Sequence, residues 1–275
     1  MNLHKHLLLF FATLLPFFLC AAALPLTAQE SAETFTYRKV ANNSFRTGER
    51  LQYHLKYGFI KAANTEIAIV KDTVIRGEPC YHVVFTANTL PVFDNFFKVD
   101  DRYETFIHKD AMCPLYFKQR LREGKFSRDD EVEFFHHTGR ARSIVHNKEF
   151  PMNAYAQDIL SAYFYVRTLN LRSFKNGESI HLKQISDDKE YPLEVKVRYR
   201  DVIETEVGTF NTVVVEPLVQ GAGLFKSEGR ILIWMTDDDN KIPVKISIKV
   251  PVGAITAEIA SMEGILHPLT AKRKE

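Results

Sequence analysis

Alternation of apolar and polar side chains dominates this chain. Leu51, Tyr53, Leu55 and Tyr57 take turns with Gln52, His54 and Lys56, and Val195, Val197 and Tyr199 take turns with Lys196, Arg198 and Arg200. Val244, Ile246, Ile248 and Val250 do the same against Lys245, Ser247 and Lys249. A period of two predicts antiparallel strands with one face on a core and one in water. Further runs read the same way: Thr65–Ile75, Cys80–Asn88, Asp101–His108, Pro114–Leu121, Asp130–His137, Ser179–Ile185, Phe210–Leu218 and Arg230–Met235. Turn chemistry separates them at Gly77-Glu78-Pro79, Glu123-Gly124-Lys125, Thr138-Gly139-Arg140, Asn176-Gly177 and Asp237-Asp238-Asp239-Asn240. Short connections predict a meander of hairpins.

One segment has a different period. Between Gln157 and Leu169 the apolar residues Ile159, Leu160, Tyr163, Phe164, Val166 and Leu169 recur at three-and-four spacing. Asp158 near the start and Arg167 in the last turn suit the helix dipole. The expected fold is mainly β: a curved antiparallel sheet or half-open β-barrel, with one central helix over about residues 157–169 lying across the sheet or plugging its open side. No low-complexity linker divides the chain, so residues 29–275 read as a single β-rich domain, two-lobed about the helix.

The first 28 residues are built differently. His4, Lys5 and His6 precede an apolar run from Leu7 to Leu19, and small residues follow up to Leu26-Thr27-Ala28. This is the layout of a secretory signal, with cleavage expected after Ala28. Cys20 follows Phe17-Phe18-Leu19 rather than small residues, which disfavours lipid anchoring, and the expectation is soluble export with no integral membrane span after cleavage. Loss of Lys5 with the leader reduces the 36 basic side chains to 35 against 34 acidic ones. That balance argues against nucleic acid or an anionic membrane surface as the main partner, since such binders show a concentrated basic excess.

Cleavage leaves Cys80 and Cys113 as an even pair in a setting that permits a disulfide. Side-by-side strand starts would let a bridge close a loop of about 30 residues, worth roughly 3 kcal/mol in the chain-entropy model. Two buried free thiols are the equal alternative.

Four patterns occur in order along the chain: Gly48-Glu49-Arg50-Leu51-Gln52-Tyr53 with Tyr57-Gly58-Phe59-Ile60-Lys61-Ala62; Phe96-Phe97-Lys98-Val99-Asp100-Asp101; Asp158-Ile159-Leu160-Ser161-Ala162-Tyr163 with Arg167; and Glu228-Gly229, Ile233-Trp234-Met235-Thr236-Asp237-Asp238 and Ile242-Pro243-Val244. Together they resemble the domain-of-unknown-function 3108 family, from about Gly48 to Ile259. Ala63 stands where such proteins tend to carry glycine, so a sharp bend is less expected there. The resemblance implies an exported protein of the periplasm or cell envelope of a Gram-negative-type bacterium, with a β-rich fold and no catalytic residues to carry over. The layout is similar to the half-barrel of periplasmic lipoprotein carriers, an analogy of fold alone.

Motifs for catalysis are missing: there is no nucleophile elbow, zinc-protease helix, phosphate loop or dinucleotide fingerprint. His136, His137 and His146 make an incomplete metal set, since neighbours on a strand face opposite ways. Asp237 to Asn240 reads as a turn rather than a calcium loop. Asp100, Arg102 and Glu104 share a face and read as solvated ion pairs rather than an acid/base site. No cofactor is expected.

The aromatic stretch Leu90-Pro91-Val92-Phe93 with Phe96 and Phe97 fits neither period and reads either as a lid over an apolar cavity or as a core-packing turn. Gln220 to Phe225 is a second candidate gate. The leading expectation is a noncatalytic protein that binds a lipid or other apolar small molecule in a curved-sheet cavity. Phe93, Phe96, Phe97 and Phe225 would supply apolar contacts there, and Tyr163 and Trp234 would pack helix against sheet or line the cavity. The competing classes are a cell-envelope module that engages another protein or a glycan, and an unrecognised hydrolase.

Overall fold

Every predicted strand is realised, and all of them join one sheet. The computed structural model describes residues 35–93, 97–219 and 230–274. The leader, its cleavage point, Phe96, Phe225 and the second candidate gate lie outside the described residues.

The first eight strands are β1 Arg50–Tyr57, β2 Ile60–Ile75, β3 Glu78–Thr89, β4 Asp100–His108, β5 Pro114–Glu123, β6 Phe126–Phe135, β7 Arg140–Ser143 and β8 Lys148–Pro151. Helix α1, Ile159–Thr168, follows. The remaining strands are β9 Ser179–Ser186, β10 Lys189–Thr205, β11 Gly208–Val219, β12 Ile231–Thr236, β13 Pro243–Lys249 and β14 Ala254–Glu263. Their order across the sheet is β8-β7-β6-β5-β4-β3-β2-β1-β14-β13-β12-β11-β10-β9, antiparallel throughout. Two meanders are therefore joined at one seam, where β1 pairs with β14 from Arg50↔Glu263 to Tyr57↔Ile255.

The outer edges, β8 and β9, are drawn towards each other. The Gln157 N–H donates to the Lys183 carbonyl (2.8 Å), and the Ile185 N–H donates to the Gln157 carbonyl (2.8 Å), a single parallel bridge that covers the edge of β9. Asp187 and Asp188, at the β9–β10 turn, meet Arg128 (2.6 Å) and His146 (2.8 Å) from the first meander. The sheet is thus curled into a barrel-like form, and α1 lies against its concave face. Leu160, Ala162, Phe164 and Val166 are buried and Ile159, Tyr163 and Tyr165 are half-buried, so α1 is apolar on every side. Enclosure by a curled sheet accounts for that pattern.

Local differences from the alternation have identifiable causes. Arg76 (φ 50°) and Gly77 (φ 85°) form the β2–β3 turn, so Glu78 and Pro79 already belong to β3. The short charged strands β7 and β8, and β14 with its Ala, Thr and Ser residues, carry too little β-branched or aromatic signal to be read from pattern alone. A bulge in the β1–β2 pairing falls between Leu55 and Lys56, opposite Ala63 and Lys61. The strand pair therefore deforms at the position where alanine replaces the expected glycine.

The hairpin of β10 and β11 runs on past the end of β12 and turns over the outer face of the sheet. Its Asp201 accepts a hydrogen bond from Trp234 Nε1 (2.9 Å), and its tip residue Glu206 meets His54 (2.9 Å) and Lys56 (2.8 Å) of β1. After β14, Gly264 (φ 63°) passes so close to Gly48 that a Cβ there would lie 2.1 Å from the Gly48 carbonyl oxygen. Only glycine fits that crossing.

Candidate functional site

Alternation places one residue in two from each strand on the concave face, and in the second meander those residues leave space unfilled. Ile231, Ile233 and Met235 of β12, Ile246 and Ile248 of β13, and Leu193 and Val195 of β10 line a cavity of about 360 Å³. Tyr53 and Leu55 of β1, Ile67 of β2 and Phe85 of β3 continue the wall. Ile159, Leu160, Ala162, Tyr163 and Val166 of α1 form the opposite side. The lining contains no carboxylate, histidine, serine or cysteine.

The two ends of this cavity differ. Residues against α1, including Val166, Val195, Val215 and Met235, are buried. Leu55, Pro217, Ile231 and Ile248, near the strand ends that lead into the β1–β2, β11–β12 and β13–β14 connections, are half-buried. Among the described residues, the cavity is therefore closed by the helix and least covered towards that rim of the barrel.

Beneath the closed end lies a buried ion pair. Arg167 Nη2 donates to Glu49 Oε2 (2.8 Å) and Arg167 Nη1 to Glu49 Oε1; the two residues are 0% and 2% exposed. Nη1 also donates to the Tyr163 hydroxyl (3.1 Å), Nη2 to the Ser44 carbonyl (3.2 Å) and Nε to the Asn240 carbonyl (3.1 Å). Every guanidinium N–H is thereby satisfied. Burial opposes the charge, but Glu49 overcomes it and holds the Arg167 pKa above the usual arginine range. The Tyr53 hydroxyl, buried in the same neighbourhood and electrostatically coupled to Tyr163, Arg167 and Glu49, has no hydrogen-bond partner among the described residues. Burial pushes its pKa well up, so it remains a neutral donor.

At the other end of α1, Asp158 is the N-cap. Its Oδ1 accepts from the Leu160 and Ser161 N–H groups (2.8 Å each), and Ser161 Oγ accepts from the Asp158 N–H (2.8 Å), completing a capping box. Thr105 of β4 donates to Oδ2 (2.6 Å), which fixes the helix start on the sheet. Burial raises the Asp158 pKa to about 6 despite these donors.

Among the expected contact residues, Tyr163 does line the cavity. Phe93 lies in a short 3-10 turn, Pro91–Phe93, and Phe97 is exposed with its ring over the Gly124 turn; neither is part of the wall. Trp234 points to the opposite face of β12 from Ile233 and Met235, where it meets Asp201 and the Lys245 ammonium (5.4 Å). Strand alternation excludes it from the cavity its neighbours line. Cys80 and Cys113 are both buried free thiols. Cys80 of β3 pairs with His108 of β4, and the His108 N–H donates to the carbonyl of Cys113 just ahead of β5 (2.8 Å), so the cysteine Cα atoms are two strand spacings apart, roughly 9–10 Å, beyond the reach of a disulfide. His136 donates from Nε2 to the Pro114 carbonyl (2.7 Å) and accepts at Nδ1 from the Tyr155 N–H (3.0 Å), whereas His146 is at the far rim against Asp188. Asp237 to Asn240 do form a turn, exposed at Asp239 but buried at Asp238 and Asn240: Asp238 Oδ1 accepts from Thr236 Oγ1 (2.8 Å) and the Asn240 N–H (3.1 Å).

Residues 52–260 match the family described as Protein of unknown function (DUF3108). The chain belongs to the DUF3108 family. No curated protein matches this DUF3108 chain. Among solved structures it is similar to a beta-barrel-like protein of domain of unknown function DUF1849 from Brucella abortus, at 11% identity and a TM-score of 0.49, covering 80% of this chain and 98% of that one. It is also similar to a protein from Bacteroides fragilis described as exported with a YmcC-like fold, at 8% identity and a TM-score of 0.38, covering 82% and 99%. A third, described as a lipoprotein from Parabacteroides distasonis, has 8% identity, a TM-score of 0.39 and coverage of 83% and 100%. No helix among the described residues is long and apolar enough to cross a membrane.

Proposed function

We propose that this DUF3108 protein is exported and binds a lipid-like apolar or amphipathic ligand in the cavity between α1 and the second meander. The observation that carries this reading is an unfilled, helix-capped space of about 360 Å³ whose wall is almost wholly aliphatic and aromatic. That volume falls in the range of small-molecule pockets. At about 30 Å³ per water-sized group it accommodates on the order of a dozen methylenes. The lining offers no carboxylate, histidine, serine or cysteine, which favours binding over catalysis. Tyr53, a donor without a partner near the closed end, favours a ligand with one oxygen over a pure hydrocarbon. The leader up to Ala28 supports an extracytosolic setting.

The test is native mass spectrometry of protein purified from a membrane-containing host, followed by organic extraction. A bound species of defined mass is expected, and it is expected to be absent from Ile233→Trp, whose indole would occupy the cavity. A clean apo mass, joined with no retention of a fluorescent fatty acid added afterwards, would remove this reading.

A further inference from the structure

In an uninterrupted antiparallel meander, alternate connections lie at the same rim. The β1–β2, β3–β4, β5–β6, β7–β8, β9–β10 and β13–β14 connections therefore share one rim, the one towards which the cavity is least covered by the described residues. Of the fourteen large apolar side chains exposed among the described residues, nine lie at these connections. Phe59 is fully exposed; Tyr57, Ile60 and Val252 surround it, and Phe126 and Val145 extend the set to neighbouring hairpins. At the opposite rim, among the described residues, Val74 beside the β2–β3 turn is the one comparable side chain. The arrangement is held in place: the Tyr57 hydroxyl donates to the Val252 carbonyl (2.8 Å), which ties the β1–β2 tip to the β13–β14 tip.

Charge at this rim is sorted as well. Among its described acidic residues, Asp100 pairs with Arg120 (3.0 Å) and Asp187 with Arg128 (2.6 Å), Asp188 accepts a hydrogen bond from the His146 ring (2.8 Å), and Glu123 lies against Asp101 with no cationic partner. Lys61, Lys98, Lys125 and Lys249, beside the apolar tips, form no ion pair among the described residues. Apolar side chains on separate hairpin tips, ringed by unpaired lysines, fit the interface of a bilayer: the tips enter the acyl boundary and the ammonium groups remain at the phosphates.

We infer that this rim docks on an anionic lipid bilayer, with Phe59, Ile60 and Val252 as the inserted residues, so that the cavity mouth faces the membrane. This rests on the ligand-binding reading only for what passes through the mouth; docking itself rests on the rim.

The experiment is flotation of the mature protein with vesicles of phosphatidylcholine alone or with 30% phosphatidylglycerol, at low and high salt. Co-flotation with the anionic vesicles is expected, weakening as salt rises. The triple substitution Phe59→Ser, Ile60→Ser and Val252→Ser is expected to lower the bound fraction by about tenfold, and Lys61→Glu with Lys249→Glu to abolish the preference for phosphatidylglycerol. These positions are exposed, and the unchanged fluorescence of the single tryptophan, Trp234, checks that the fold is intact. Absence of flotation at low salt, or equal flotation of wild type and both variants, overturns the inference. So does a concentration-dependent dimer that the triple variant abolishes while vesicles bind neither protein; the rim would then pair copies of this chain. Retention of a fluorescent fatty acid is measured on the same samples. Flotation without retention would remove the cavity reading and leave the docking surface standing, and retention without flotation would do the reverse.

Discussion

Arg167 on α1 and Glu49, immediately ahead of β1, are 118 residues apart in sequence and form a bidentate ion pair fully removed from water. The pair locks the C-terminal end of the helix to the strand that seals the two meanders, at the closed end of the cavity.

Removing one partner strands the other charge without solvent. Arg167→Met or Glu49→Leu alone is expected to destabilise by about 3–5 kcal/mol, and Arg167→Met with Glu49→Leu to recover much of that loss. Urea unfolding of the four proteins gives the cycle. Additive single losses would show that the two side chains act independently.

Two buried groups give proton linkages of opposite sign. Burial lowers the His136 pKa from 6.5 to about 4, against the hydrogen bond to Pro114, so the unfolded chain takes up that proton first. The resulting stability is complete above about pH 6.5 and is lost as the pH falls towards 4. Asp158 is raised from 3.8 to about 6, so the fold holds its proton more tightly, and stability from that group is lost as pH rises from about 4 to 6. Each contribution is on the order of 3 kcal/mol, and between pH 4 and 6 they offset one another. Asp158→Asn is expected to leave His136 unopposed, so the melting temperature falls more steeply from pH 6 to 4 than in the wild type. Parallel profiles would show that the Asp158 carboxyl does not titrate in that window.

The Tyr53 hydroxyl costs stability while it has no partner. Tyr53→Phe is expected to stabilise the empty protein by about 1 kcal/mol and to weaken retention of a fatty alcohol relative to an alkane of equal length. Calorimetric melting and competition against a fluorescent fatty acid measure the two effects. A destabilised Tyr53→Phe would mean that the hydroxyl finds a partner in solution.

Burial pushes the Cys80 thiol up to about 12 and the Cys113 thiol higher still. In the unreduced mature protein both are expected to label with iodoacetamide only after unfolding, and then with a stoichiometry of two. Labelling of neither cysteine in the unfolded, unreduced protein would establish a bridge and would require β4 to lie elsewhere than between β3 and β5.

The sheet was legible because alternation, turn residues and one stretch of helical spacing agree along most of the chain. Asp158 was legible in kind as a helix start, but its tie to Thr105 joins elements distant in sequence. Arg167 read as a last-turn group favourable to the helix dipole; only the fold shows Glu49 opposite it. The cavity was expected on aromatic residues, Phe93 and Phe97, because an irregular apolar stretch draws attention. Its wall is instead made of ordinary inward-facing residues such as Ile233, Ile246 and Val195. Periodicity says that these point inward, and it does not say that α1 stops short of them. Trp234 shows the complementary error, since a large ring implies burial but not the face on which burial occurs.

The β1–β14 seam also sets a schedule. β1 is the first strand to be synthesised and β14 the last, so the neighbour that completes β1 arrives after all the others. Until then one long strand keeps an open edge, and its pairing must be found across almost the entire chain, the kind of closure that makes β proteins slow to fold and exposed to aggregation. Chains that end before Ala254 would leave both meanders unsealed. The last ten-residue strand thus acts as the gate for maturation, and an unfinished copy of this protein is marked by its own unpaired edge.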